Sequence, residues 1–407
     1  MHSIIVIGGG AAGMMAAYSA AFCGKNVVLI EKNEKLGKKL YITGKGRCNL
    51  TNNVSVSEFL NNVVCNPKFL YGALNELSPT DTINLFEENG CKLKTERGNR
   101  VFPESDKASD VSKTLQKLLA DNGVKILFNT AVIEILTENG QVCGVKTNND
   151  EIISCDSVIV CTGGVSYPLT GSTGDGYLFA RNAGHMVVPP KPSLVGIELK
   201  GNTFSGMQGL SLKNVAISLN NGQKEIYKDF GEMLFTHFGV SGPIILSASC
   251  ILNRIELNNV TLKIDLKPAL SEKTLDERLV REFESGKLKS VANVMRSLLP
   301  QALVGTILQV AKVEGTKRCS DILKAERLNI VYALKNLTFK VKGLRPIEEA
   351  IVTSGGVAVN EINPKTMESK IVKGLFFGGE VIDVDAFTGG FNIQIAFSTG
   401  FVAGQNA

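Results

Sequence analysis

The chain has 407 residues, 44% of them hydrophobic and 20% charged, enough for two or three units with well-buried cores. Its formal charge of +5 is small for this length and argues for neither a nucleic-acid partner nor an anionic membrane. Nine cysteines without a CxxC pair indicate neither a disulfide framework nor a zinc site. With no run of about 18 apolar residues to span a bilayer, a soluble cytoplasmic chain is expected, with no nucleic acid or membrane as partner and the oligomeric state open.

Residues 3 to 7 read as a short buried strand, 11 to 23 as a helix of small side chains, and 26 to 30 as a second apolar strand, which together make a βαβ unit. A helix over 109–122 follows, with strands over 124–128, 131–136, 142–147 and 157–161, so an α/β sheet is predicted. From about Pro189 the character changes. Alternation at Val215, Ile217 and Leu219, and again at Leu262, Ile264 and Leu266, marks half-buried antiparallel strands. Ser271 reads as an N-cap, with Leu275, Leu279 and Phe283 at helical spacing behind it. Glycine-rich, strand-like character returns after Gly343. The expected organisation is a nucleotide-binding first part over 1–190, a β-rich insert over 191–268, its helical part over 269–345, and completion of the first domain over 346–407.

Gly8-Gly9-Gly10-Ala11-Ala12-Gly13 satisfies GxGxxG between a strand and a small-residue helix, the context in which this pattern binds a dinucleotide. Gly8 allows the tight turn, Gly10 lets the backbone approach a pyrophosphate, and Gly13 lets helix and strand pack closely. The helix start, with Ala11 and Ala12, offers N–H groups to the anion. Glu31 ends the second strand, where a carboxylate accepts hydrogen bonds from ribose hydroxyls and repels a 2′-phosphate. The ligand at this site is therefore FAD or NAD. The cations that follow, including Lys32 and Lys39, either neutralise the diphosphate or form a solvated basic loop. Arg47 is the stronger candidate, because Gly44-Lys45-Gly46-Arg47-Cys48-Asn49 brings backbone close to a neighbour and Asn49 supplies an amide.

Two later strand ends carry the same signature. Thr162, Gly163 and Gly164 follow the 157–161 strand, and Gly379, Glu380 and Asp383 follow another near 375; α/β sheets bind ligands at such ends. Asp383 reads either as a hydrogen-bond partner of a ribityl chain or as a turn-capping acid. A helix from Asn392 to Ala403, opening near Gly390 with Asn392 and Ile393, would turn its N-terminus toward a flavin pyrimidine ring. Val132, at the start of the 131–136 strand, completes the cofactor-binding candidates.

The block Gly37-Lys-Lys-Leu-Tyr-Ile-Thr-Gly-Lys-Gly-Arg-Cys-Asn-Leu-Thr-Asn is far more specific than GxGxxG. With Arg100-Val-Phe-Pro-Glu-Ser, Gly171-Ser-Thr-Gly-Asp-Gly, Leu234-Phe-Thr-His-Phe-Gly-Val-Ser-Gly-Pro and Gly379-Glu-Val-Ile-Asp-Val-Asp, it resembles a bacterial family of NAD(P)/FAD-dependent oxidoreductases. That family includes aminoacetone oxidase and the bile-acid 3-dehydro-Δ4,6-reductase, and the resemblance spans essentially the whole chain. It implies a glutathione-reductase-like FAD-binding Rossmann domain interrupted by a β-barrel-like module and a small helical module. FAD is then held non-covalently, and substrate meets it between the two parts.

No second GxGxxG lies in a strand-to-helix setting, so NAD(P)H, if it is the donor, docks transiently at the flavin. Cys48 has no cysteine partner in its motif and reads as a packing residue. Among three histidines, His237 is the candidate acid or base, against a structural reading of the same residue; His185 is expected to cap a helix. The leading expectation is hydride exchange between flavin N5 and an organic substrate, as in NAD(P)H-dependent reduction of conjugated enones such as 3-oxo-Δ4 bile-acid or steroid intermediates. An amine oxidase acting on aminoacetone-like substrates with O₂ and a tRNA-associated flavoprotein are the alternatives.

Overall fold

The computed structural model describes residues 2–407. The chain divides into two compact units, one running to residue 193 and resuming at 346–407, the other formed by 194–345. No helix among the described residues is long and apolar enough to cross a membrane.

The first unit is built on a parallel sheet of β1 (Ser3–Ile7), β2 (Asn26–Ile30), β3 (Lys125–Leu127), β4 (Ser157–Val160) and β5 (Leu375–Phe377). Its spatial order is β5-β4-β1-β2-β3. The chain moves outward from β1 through β2 to β3, then crosses back to place β4 on the other side of β1. Ligands bind at the carboxyl ends of strands where such a sheet reverses direction. The central strands are continuous β-branched runs because both faces are covered; Ile4, Ile5, Val6 and Ile7 are all buried, each contributing roughly 1.5–3 kcal/mol.

Helix α1 (Ala11–Phe22) is buried on nearly every side, as a helix apolar all round must be. Across it lies α2 (Phe391–Asn406). A Cβ on Gly400 would stand 2.3 Å from the Ala12 carbonyl oxygen, and one on Gly404 would stand 2.2 Å from that of Ala16. Two glycines four apart thus let one backbone lie directly on the other. The C-terminal segment fills the core of the first domain for this reason.

The expected strands and the 109–122 helix are present within a residue or two, the helix as Ala108–Asp121 and the strands after β3 as Val132–Glu138, Gln141–Thr147 and β4. The proline-rich run Val187–Ser193 forms an antiparallel pair with Val352–Val357, with a register shift between Val188 and Lys191. Prolines 189 and 190 occupy that shift, where no ladder N–H is required.

In the second unit, strands Ile197–Leu199, Gly239–Ser241, Lys224–Phe235, Ser211–Asn221, Val260–Asp265 and Leu337–Leu344 close into a barrel in that order. Val215, Ile217, Leu219, Leu262 and Ile264 point inward and are fully buried, with polar residues outside; closure buries what the alternation read as half-buried faces. Helix Pro243–Leu252 follows the glycine-proline turn, a helix the sequence pattern had shown only as that turn. Ser271 caps helix Glu272–Ser285 by accepting from the Thr274 N–H. Leu275, Leu279 and Phe283 join a helical layer that shares one core with the barrel.

Gly400→Ala is expected to destabilise the protein by about 1–3 kcal/mol by forcing α1 and α2 apart. Gly305→Ala, in a helix where a Cβ meets no neighbour within 4 Å, should instead stabilise by about 0.5–1 kcal/mol. Urea unfolding of both variants checks the pair.

Candidate active site

At the end of β1 the chain turns on Gly8, whose φ of 100° is the left-handed region that glycine enters freely. A Cβ on Gly13 would sit 1.8 Å from the Gly8 carbonyl oxygen, whereas one on Gly10 would meet nothing within 4 Å. Gly13 therefore closes the turn against α1, and Gly10 faces open space. Among the described residues, the N–H groups of Gly10, Ala11, Ala12 and Gly13 meet no backbone acceptor, leaving the donors of a helix start free for an anion.

Glu31 stands beside this turn, 7% exposed. Its Oε2 accepts from the Gly9 N–H at 2.7 Å, and its Oε1 accepts from the Asn33 backbone N–H at 2.8 Å and the Asn33 side-chain amide at 2.6 Å. The carboxylate is thereby fixed against the glycine turn with lone pairs left for a sugar hydroxyl. The backbone of Glu31 bonds to Leu127 and Thr130, which brings buried Val132 close to the same corner.

The basic segment is organised differently from its expected role. Lys32 pairs with Asp175 at 2.7 Å, Lys39 with Glu380 at 2.7 Å, and Arg47 with Glu96 and Asp106 while stacking on Phe102 at 4.1 Å. Each of these cations already meets a protein carboxylate. The partners lie 49 to 341 residues away in sequence, too far for local reading to find. Gly44, Lys45, Gly46 and Cys48 all have positive φ, so the block winds tightly. Cys48 is wholly buried and its thiol is pushed up to about 12 by burial, a packing residue and no redox nucleophile.

At the ends of β4 and β5, Gly164 lies on Thr353, whose Oγ1 would be 2.3 Å from an added Cβ. Gly163 and Gly379 have φ of 71° and 79°. Glu380 binds three segments together: Lys39, the Ser166 hydroxyl at 3.0 Å and the Thr353 N–H at 2.9 Å. Burial pushes its carboxyl up, but Lys39 and these hydrogen bonds outweigh that and hold it below the ordinary glutamate range. Asp383, 9% exposed, accepts from the Asn66 side-chain amide at 3.1 Å.

The start of α2 is seated on the Asn49-Leu-Thr-Asn stretch. A Cβ on Gly390 would lie 2.3 Å from the Thr51 carbonyl oxygen. The Asn52 amide donates to the Gly389 carbonyl at 2.9 Å, and Gln394 accepts from Thr51 Oγ1 at 2.6 Å. Asn392 is occupied in pinning the Ala386 backbone, N–H at 3.0 Å and carbonyl at 2.8 Å. Ile393 is half-buried beside it. Ser166, Thr353, Gln394 and Asn66 had no local signal in the sequence.

Two buried polar atoms on these elements, Asn49 Oδ1 and Thr162 Oγ1, have no partner, a rare condition unless something else satisfies them. With the free N–H groups of α1, the open side of Gly10 and the fixed Glu31, they fit a flavin dinucleotide lying along the strand ends. His237 belongs to the other unit, exposed, its ring edge-on to Phe238 at 5.1 Å. His185 closes its helix as expected, through the backbone: its N–H donates to the Ala180 carbonyl at 2.9 Å behind Gly184, whose φ is 87°. Its ring is buried, faces Phe377, and bonds to the Ser369 hydroxyl at 2.8 Å.

Lys39→Met strands Glu380 without its cation and is expected to cost about 2–4 kcal/mol, most of it recovered in Lys39→Met/Glu380→Gln. The folded acid titrates below the unfolded one, which protonates near ~4.3. The stabilisation is therefore complete above about pH 5 and disappears as pH falls through the folded value. Urea unfolding from neutral pH down to about pH 3 should give Glu380→Gln a flatter acid limb than the parent protein.

Comparison with known proteins places this geometry. The sequence matches the HI0933-like protein Rossmann domain over residues 2–406. It is similar to the 3-dehydro-bile acid delta(4,6)-reductase of Clostridium scindens, 28% identical over 100% of this chain and 99% of the relative. It is also similar to the ribosomal RNA dihydrouridine synthase of Haemophilus influenzae, 32% identical over 98% of this chain and 96% of the relative. The 3-ketosteroid-delta4-(5alpha)-dehydrogenase of Rhodococcus jostii RHA1 shares the fold, with a TM-score of 0.54 at 14% identity over 100% of this chain and 96% of that one. The chain belongs to the HI0933-like Rossmann-domain family, and it is an oxidoreductase of the flavoprotein class.

Proposed function

We propose that this protein is an FAD-dependent reductase that adds hydrogen across a carbon–carbon double bond conjugated to a carbonyl, and that its substrate is a uracil in RNA. The observation that carries the reaction class is that two full-length relatives are named for the same transformation on unlike molecules. A uracil made into dihydrouracil and a 3-oxo steroid with unsaturation at positions 4 and 6 both gain hydrogen at an alkene polarised by a neighbouring carbonyl. The uracil reading rests on the 32% identity to the RNA-directed relative and on how charge is divided. Residues 194–345 hold 22 of the 44 Lys and Arg but 14 of the 39 Asp and Glu, a formal +8, leaving −3 for the remainder. Such asymmetry between parts of one chain is a mark of a polyanionic partner. This reverses the expectation, drawn from the overall +5, that no nucleic acid is involved.

Bound FAD supplies the hydride at its isoalloxazine ring. The chain's residues hold and orient it. The α1 N–H groups and Gly10 take the diphosphate, Glu31 takes the adenosine ribose, Thr162 and Asn49 supply unsatisfied polar atoms, and the α2 start at Gly390 stabilises negative charge on the ring. Of the original candidates, Lys32, Lys39 and Arg47 act through their carboxylate partners, shaping the walls of the site. NAD(P)H is the donor and docks transiently. For the proton that accompanies the hydride we retain His237. A free 3-oxo-Δ4 substrate is the second reading, favoured by the full-length bile-acid relative.

Purified protein should show a flavin spectrum that NADH or NADPH bleaches without oxygen. Adding unmodified ribosomal RNA should restore the oxidised spectrum and yield a nucleoside two hydrogens heavier than uridine by mass spectrometry. Reoxidation by a 3-oxo-Δ4 steroid acid and not by RNA would transfer the assignment to the second reading. Bleaching by aminoacetone alone would overturn the reductase assignment altogether.

A further inference from the structure

The segment after β4 leaves the sheet and returns to it as a closed loop. At its neck a Cβ on Gly163 would stand 3.1 Å from Ser172 Oγ, and one on Gly176 would stand 2.2 Å from Thr162 Oγ1, so residues 162–163 lie against 172–176. Inside the loop a Cβ on Gly174 would meet Val165 at 2.9 Å, and the Gly171 and Thr173 N–H groups donate to the Pro168 and Gly171 carbonyls, each at 3.0 Å. Loop 163–175 is thus an Ω-loop, with adjacent ends and packing of its own, a form that frequently carries function. Ser166 is wholly buried, whereas Leu169 at the tip is 95% exposed.

This loop is fastened to the segment that follows Glu31. Lys32 bonds to Thr173 Oγ1 and, at 2.7 Å, to Asp175; Lys39 donates to Ser166 Oγ at 2.7 Å. The middle tie is Asn33, whose side-chain amide donates to the Thr170 carbonyl at 3.4 Å. Gly171 lies on the same amide: a Cβ there would stand 2.5 Å from Asn33 Nδ2, and its φ of 106° is one that glycine adopts freely. Asn33 also holds Glu31, donating to Oε1 through its backbone at 2.8 Å and its side chain at 2.6 Å, while its own side-chain oxygen accepts from Lys38 at 3.1 Å. A carboxylate oxygen offers two lone pairs. Oε1 is used up by Asn33, and Oε2, with one bond from Gly9, is the oxygen left to a ligand.

We propose that Asn33 is the positioning residue at the adenosine end of the site: it presents Oε2 of Glu31 to the ribose and clasps the Ω-loop beside it, so that release of FAD requires the clasp to open. The loop's neck adjoins the glycine turn, since a Cβ on Gly8 would stand 3.2 Å from Thr162 Cα, and its far side lies on Asn33 next to Glu31. The two edges of the dinucleotide turn are thereby joined through one loop. Its tip buries no apolar side chain at Leu169, so the loop is held at this edge by polar ties, each of them weak alone where solvent reaches it. Segments held in this way open locally at far lower cost than the sheet beneath them. The inference rests on the FAD reading of the site, and it adds what keeps the dinucleotide in place.

The test follows the release of FAD from the flavin-loaded full-length protein, by flavin fluorescence after dilution. Asn33→Ala should release FAD about tenfold faster, the effect of losing one hydrogen bond to a charged group. Gly171→Ala, which lifts the loop from the Asn33 amide, should do the same. Asn33→Asp keeps the side-chain size but sets a second carboxylate against Glu31, and it should be about tenfold faster again. Leu169→Ser, at the exposed tip, should stay within about twofold of the parent. The visible spectrum of the flavin still bound should match the parent's in every variant, because the isoalloxazine end is untouched. Release at the parental rate from either Asn33→Ala or Gly171→Ala would overturn the clasp. So would Asn33→Asp releasing no faster than Asn33→Ala, the result of a purely structural role, or a shifted flavin spectrum, which would put the effect at the other end of the cofactor. A parent protein that is colourless and takes up no added FAD would sink the FAD reading and the clasp with it.

Discussion

The whole first unit depends on backbone lying directly against backbone at the end of β1. The Gly8 carbonyl occupies the space where any side chain on Gly13 would begin, and Gly400 and Gly404 repeat this arrangement between α2 and α1. Dispersion and packing fall off steeply with distance, so each contact has no substitute at longer range. The same closeness that makes the turn tight leaves the helix N–H groups facing outward beside Gly10. The tight turn and the outward-facing donors are two consequences of one geometry.

From that turn the site is extended by contacts between segments distant in sequence. Glu380 ties the end of β5 to Lys39, Ser166 and Thr353, and the Asn49–Asn52 stretch supports the start of α2 through Gly389, Gly390 and Gln394. The long block from Gly37 to Asn52 is therefore mainly architectural: it is the seat on which the C-terminal helix presents its N-terminus. A charged pair this poorly hydrated holds one arrangement, because either partner alone would be stranded.

Ion pairs tie segments together within each unit. In the first, Lys32, Lys39 and Arg47 each meet an acid; in the second, Lys335 meets Asp265, Arg327 meets Asp276, and Lys342 and Arg345 share Glu198. At such short range the fields of paired charges largely cancel.

The sequence by itself determined the glycine turn, the carboxylate beside it, the strand-and-helix order and a β-rich insert, because each is encoded in residues that are neighbours along the chain. Gly8 to Gly13 and Glu31 are read within one βαβ unit. Tertiary structure alone decided that Lys32, Lys39 and Arg47 carry carboxylate partners, that the His185 ring reaches Ser369, and that Glu380 meets Ser166. These outcomes depend on contacts between segments 49 to 341 residues apart, which no local pattern of side chains specifies.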